Sequence, residues 1–61
     1  MKRADALASM EVEMKRLKGY FPYRIVYGAL DPETNEYETG AVTTMREPNK
    51  LLRKGYEVYK L

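Results

Sequence analysis

The 61-residue sequence contains no cysteine, no histidine and no tryptophan. Without cysteine no disulfide can form, and without cysteine or histidine a structural zinc site lacks its usual ligands. The single serine, Ser9, falls in the middle of a predicted helix, so the usual nucleophiles and general bases of enzymes are missing as well. The composition therefore predicts a protein that is not an enzyme and that holds neither a cofactor nor a metal ion.

A long hydrophobic run is also missing. The longest apolar stretch covers residues 25–30, whereas a membrane-spanning helix needs about 20 residues. The first part of the chain includes Asp5, Glu11 and Glu13, so it lacks the apolar core of a signal peptide. We therefore expect no membrane partner and a cytoplasmic location.

The small size of the chain limits its stability. We expect residues 1–61 to form one domain, since a chain of this length buries only about 60% of its unfolded surface. Hydrophobic residues make up 44% and charged residues 33%, a balance typical of a folded domain. Domains of this size usually add a stabilising device, and with disulfides and zinc excluded, self-association remains. The chain is therefore expected to form a homodimer.

Charge is distributed unevenly along the chain, although the net charge is only +2. Residues 1–18 carry five basic and three acidic side chains, residues 19–40 carry one and four, and residues 41–61 carry five and two. An acidic middle between two basic ends indicates a molecule with two electrically different sides, which can orient a partner.

The N-terminal segment has the pattern of an amphipathic helix. Residues 4–18 contain no glycine or proline, and Gly19 follows as a residue that can end the helix in the left-handed conformation. Four apolar side chains recur at helical spacing, namely Leu7, Met10, Met14 and Leu17. This stripe has two interpretations, a face that packs on the core or a face for self-association.

The remainder of the chain has the pattern of strands and one short helix. Aromatic and β-branched residues predict a strand over residues 20–30, a turn at 31–36 and a return strand over 37–45. Pro48 and Gly55 bracket a short helix over 48–54, which precedes a last strand over 56–61. The predicted fold is α+β in the order α-β-β-α-β, a small three-stranded, mainly antiparallel sheet with both helices on one face. The helical connection also allows the last strand to lie parallel to a neighbour.

One short segment occurs twice. K-G-Y-F-P-Y-R-I at residues 18–25 returns as K-G-Y-E-V-Y-K-L at residues 54–61. A helix that ends at the glycine and a strand that opens at the tyrosine would account for K-G-Y in both copies. If the two strands are neighbours, Tyr23 with Arg24 and Tyr59 with Lys60 form paired aromatic and basic positions.

Six tyrosines suggest a binding surface. Tyrosine suits half-buried positions and interfaces, and neither face of the first predicted strand is cleanly polar. We therefore expect a protein that binds and modulates a protein partner, as small accessory or inhibitor proteins do. Phages encode proteins of this general kind, and the location would then be the host cytoplasm. The expected partner-binding residues are Tyr23, Arg24, Tyr27, Arg46 and Tyr59.

A small nucleic-acid-binding module is the alternative. Tyrosines would stack on exposed bases, and the basic residues that would contact phosphates are Lys50, Arg53, Lys54 and Lys60. The acidic run over residues 31–38 argues against this alternative, because it would repel a phosphate backbone.

Overall fold

A computed structural model describes residues 2–61, which form two helices and three strands. In chain order these are α1 (Arg3–Tyr20), β1 (Ile25–Leu30), β2 (Tyr37–Val42), α2 (Arg46–Arg53) and β3 (Glu57–Lys60). The predicted α+β class and the order α-β-β-α-β are confirmed.

The three strands form one antiparallel sheet in the order β2-β1-β3. In the first pair Ile25 lies opposite Val42, and in the second pair Tyr27 lies opposite Lys60. Because both outer strands run against β1, they are parallel to each other with β1 between them, and α2 is the crossover that connects them. Among the residues that the structure describes, the last strand therefore has no parallel hydrogen-bonded neighbour, contrary to the alternative that the helical connection allowed.

The two helices lie on opposite faces of the sheet. Gly28 faces α1, since a Cβ atom built there would lie 2.6 Å from the Met10 sulfur. The next residue, Ala29, points to the other face and is nevertheless fully buried, where α2 packs on β1 and β3. The prediction of both helices on one face is wrong, because the central strand carries apolar side chains on both sides and each side needs cover.

Met10, Met14 and Val26 form the core between α1 and the sheet, with Leu7 and Leu17 packed against it. The apolar stripe of α1 is therefore a core-facing stripe. Met10 and Met14 are 1% and 3% exposed, so these two residues would be available for self-association only if α1 left the sheet. Leu7 and Leu17 are half-buried, and self-association through the stripe stays a prediction.

The start of β1 differs from the prediction, because α1 does not end at Gly19. The helix continues to Tyr20, and the Phe21 amide still donates to the Leu17 carbonyl at 2.8 Å. Residues 21–24 then form a turn in which the Arg24 amide donates to the Phe21 carbonyl at 3.1 Å. The first strand consequently begins at residue 25 rather than at residue 20.

The other predicted turn residues adopt the expected conformations. Gly55 has a φ of 97° after α2, and Asn35 has a φ of 60° in the turn between β1 and β2. Pro48 is buried in the first turn of α2, which begins two residues before it. Since Gly55 is left-handed and Gly19 is helical, the repeated K-G-Y segment is not one junction used twice.

We predict that Gly28→Ala destabilises the protein by about 1–3 kcal/mol, because its methyl group would overlap the packed side chains of Met10 and Met14. Gly19→Ala is the matched control. Nothing lies within 4 Å of the site of its added methyl group, and alanine favours a helix by about 0.5–1 kcal/mol over glycine. Urea unfolding followed by circular dichroism measures both changes. Equal effects of the two substitutions would contradict the close approach of α1 to β1.

Candidate functional site

A groove separates α1 from β3. The helix packs on β1 and β2. The part of the sheet that β3 forms is therefore left uncovered on this face. The groove has a volume of about 260 Å³. Its apolar lining consists of Leu7, Met10, Met14, Tyr59 and Leu61, and its charged lining consists of Glu11, Lys15 and Lys60.

Tyr59 and Leu61 are the accessible apolar residues of this groove. Tyr59 lies opposite Gly28 in the sheet and therefore points to the face of α1. The Leu61 amide donates to the Val26 carbonyl at 2.9 Å, which extends the pairing of the last strand by one bond. The two residues are 38% and 48% exposed although they adjoin the buried Met10. The part of this sheet face that β3 forms is thus apolar but open.

An ion pair connects the two walls near one end of the groove. The Arg3 guanidinium at the start of α1 donates to both carboxylate oxygens of Glu57 at the start of β3. The hydrogen bond from Arg3 lowers the pKa of the Glu57 carboxyl below its ordinary value of 4.5. The Tyr59 hydroxyl lies 3.5 Å from Glu57 Oε1 and donates to it. The pair therefore ties α1 to β3 at this end.

On its opposite side α1 is held by β2. Glu13 accepts a hydrogen bond from the Tyr37 hydroxyl at 3.2 Å and another from the Thr39 hydroxyl at 3.4 Å. Burial raises the pKa of Tyr37, and the hydrogen bond to Glu13 adds to that shift. With contacts to both outer strands, α1 is fixed over the sheet and the groove has a defined wall.

A second surface lies at the turn between α1 and β1. We call residues 20–24 the aromatic tip. The rings of Tyr20 and Phe21 have centroids 6.5 Å apart, and the Arg24 guanidinium carbon lies 5.6 Å from the Phe21 centroid. Tyr23 is 100% exposed. The sequence did not predict this surface, because its strand pattern assigned Tyr20 and Phe21 to the first strand.

The five residues predicted to bind a partner do not form one surface. Tyr23 and Arg24 belong to the aromatic tip, whereas Tyr59 lines the groove. Tyr27 lies on the face opposite α1, where its ring covers Gly40. Burial raises the Tyr27 pKa, with smaller contributions from two nearby carboxylates. Arg46 is the exposed first residue of α2.

The basic residues predicted to contact nucleic acid do not form one surface either. Lys50 and Arg53 are exposed on α2, Lys54 follows it, and Lys50 forms an ion pair with Glu47 at 3.7 Å. Lys60 lies at the other end of β3 and contributes to the groove. The two copies of the repeat also lie in different parts of the fold, because Tyr23 precedes β1 while Tyr59 lies in β3 opposite Gly28. The predicted pairing of their aromatic and basic positions is therefore wrong.

No protein-family model, no curated protein and no solved structure matches this chain. Over residues 2–61, neither helix has the length and apolar character required to cross a bilayer. Within the same range, no three acidic side chains are grouped as metal ligands would be. What the groove and the aromatic tip can bind therefore has to follow from their own geometry and chemistry.

We predict that Glu57→Gln flattens the acid dependence of stability. A carboxyl whose pKa is lowered in the folded state stabilises the protein above its unfolded pKa, and that contribution is lost as the pH falls through the folded pKa. The wild type should therefore lose more stability below pH 4.5 than the variant does. Urea unfolding at pH values from about 6 to about 3 measures the difference.

Arg3→Gln should flatten the same curve, because it removes the other partner of the ion pair. The double variant should add little to either single variant. Additive effects of the two substitutions would contradict a shared interaction.

Proposed function

We propose that this chain is a non-catalytic interaction module that binds a protein partner in the groove between α1 and β3. The observation that carries the proposal is the open part of the sheet face at β3, where Tyr59 and Leu61 remain exposed beside the buried Met10. Apolar surface that adjoins a core and has no cover of its own is typical of interaction sites.

An amphipathic helix of the partner fits this groove best. Three strands spaced about 4.8 Å apart give a sheet about 10 Å wide, and neighbouring helices pack about 8–10 Å apart. Because α1 covers β1 and β2, the next helix position on this face lies over β3. A helix placed there would bring its apolar stripe onto the groove, in the manner of helix-in-groove recognition.

The charged lining of the groove would set the orientation of such a helix. Lys15 favours an acidic side chain along the flank of the incoming helix, while Glu11 favours a basic one. Tyr59 and Leu61 would serve as the apolar anchors, because a few well-packed residues give an interface most of its binding energy. Occupation of a partner surface in this way would suit an accessory or inhibitor protein.

We predict that Leu61→Asp weakens binding of the partner at least about tenfold, since a carboxylate would be buried against apolar side chains. Leu52→Asp is the matched control, because Leu52 is 50% exposed on α2 and Leu61 is 48% exposed in the groove. Tagged wild-type and variant proteins are compared by quantitative capture from a lysate of cells that express the chain. Circular dichroism checks that both variants remain folded.

Equal capture by the two variants would rule out the groove as the binding site. Sedimentation at two concentrations tests a second copy of the chain as the occupant. A wild-type dimer that Leu61→Asp dissociates and Leu52→Asp leaves intact would assign the groove to self-association.

A further inference from the structure

Charge is separated along the central strand. From Met14 through Leu30 the chain has no acidic residue, and this segment carries Lys15, Arg16, Lys18 and Arg24. The turn after β1 and the start of β2 carry Asp31, Glu33, Glu36 and Glu38. The aromatic tip precedes β1 and the acidic turn follows it, so six residues of extended chain, about 20 Å, lie between them. The acidic run is therefore remote from the tip.

Other cations lie at the same end of the sheet as the aromatic tip. Arg46 begins α2 a few residues after Val42, which lies opposite Ile25 at the start of β1. Lys60 lies opposite Tyr27, and the amide that follows it bonds to Val26. Basic side chains from three segments of the chain thus lie toward the same end of the sheet as the aromatic tip.

The rings of the tip are available to a ligand. Tyr23 is fully exposed, and Tyr20 is 73% exposed. Phe21 is 41% exposed, but the Arg24 guanidinium covers part of its ring. Neither tyrosine belongs to the core cluster, so the fold itself gives no reason for their position.

We infer that the aromatic tip binds single-stranded nucleic acid. Tyr23 stacks on an unpaired base, and Lys18 and Arg24 contact the phosphates on either side of it. A duplex keeps its base faces stacked and offers the tip only phosphates, so the aromatic rings select single strands. This binding uses none of the apolar residues of the groove and is independent of the proposed partner site.

A membrane surface suits the tip less well. Insertion into lipid requires a large apolar face, whereas the tip presents one phenylalanine and two tyrosines whose hydroxyl groups favour water. In addition, the Arg24 guanidinium already covers part of the phenylalanine ring. Cations next to exposed aromatic rings complement a polyanion with free bases more closely.

Fluorescence anisotropy with labelled oligothymidine of about 15 nucleotides and with a labelled duplex of equal length tests the inference. We expect the single strand to bind at least about fivefold more tightly than the duplex at low salt, with an affinity that falls as salt rises. Tyr23→Ala should weaken binding at least about fivefold, whereas Tyr23→Phe, which keeps the ring, should stay within about twofold. The exposure of Tyr23 makes both substitutions compatible with folding.

Arg24→Gln and Arg53→Gln remove the same charge at different places. Arg24→Gln should reduce the slope of log affinity against log salt by about one, and Arg53→Gln, on α2, should leave it unchanged. The inference is overturned if neither oligonucleotide binds at low salt, if Tyr23→Ala binds like the wild type, or if both arginine variants change the slope equally. Tip-dependent binding to phosphatidylserine-containing vesicles without binding to oligothymidine would likewise overturn it in favour of a lipid surface.

Discussion

At Gly28 the central strand has no side chain, and the side chains of Met10 and Met14 occupy the space that a Cβ atom would need. This contact brings α1 close to the sheet and fixes where the helix crosses it. Because the helix also packs on β2, where Glu13 binds Tyr37 and Thr39, it lies over two of the three strands and leaves β3 uncovered. The groove is thus a consequence of how α1 is anchored.

The aromatic tip follows from a difference in length between α1 and β1. An 18-residue helix extends about 27 Å, whereas a six-residue strand extends about 20 Å. The chain therefore passes beyond the end of β1 before it turns back. The residues that make this turn, 21–24, have no sheet partner there, and with Tyr20 they leave their aromatic side chains in solvent. One helix anchored at Gly28 accounts for both surfaces.

The sequence predicts local features of this fold better than the placement of its parts. The stripe of α1, the left-handed Asn35 and the end of α2 follow from spacing and turn chemistry, and each is found. Gly19 and Gly55 occur in the same K-G-Y context, yet only Gly55 ends a helix, since the amides of Gly55 and Tyr56 bond back to the carbonyls of Leu52 and Leu51. Such a cap depends on the direction that the chain takes next, and the K-G-Y residues alone do not determine that direction.

The same limit applies to the candidate sites. Tyr23, Arg24 and Tyr59 could be selected by residue type, but their distribution between tip and groove depends on where β1 begins and on which strand α1 leaves uncovered.

The order of charged residues along the chain is also a poor guide to the electrostatic field around this molecule. The acidic turn follows β1 directly and at first argues against any anionic ligand, but β1 carries it to the far end of the sheet from the aromatic tip. The pairing of β3 with β1 instead places Leu61 beside Val26, so the open end of the groove lies near the start of β1, where the tip emerges. The two candidate surfaces therefore share the basic end of the molecule. A ligand attracted to that end by charge would approach both surfaces, and the acidic turn would point away from the ligand. A small protein whose charge is separated along its central strand is expected to orient a ligand in this way.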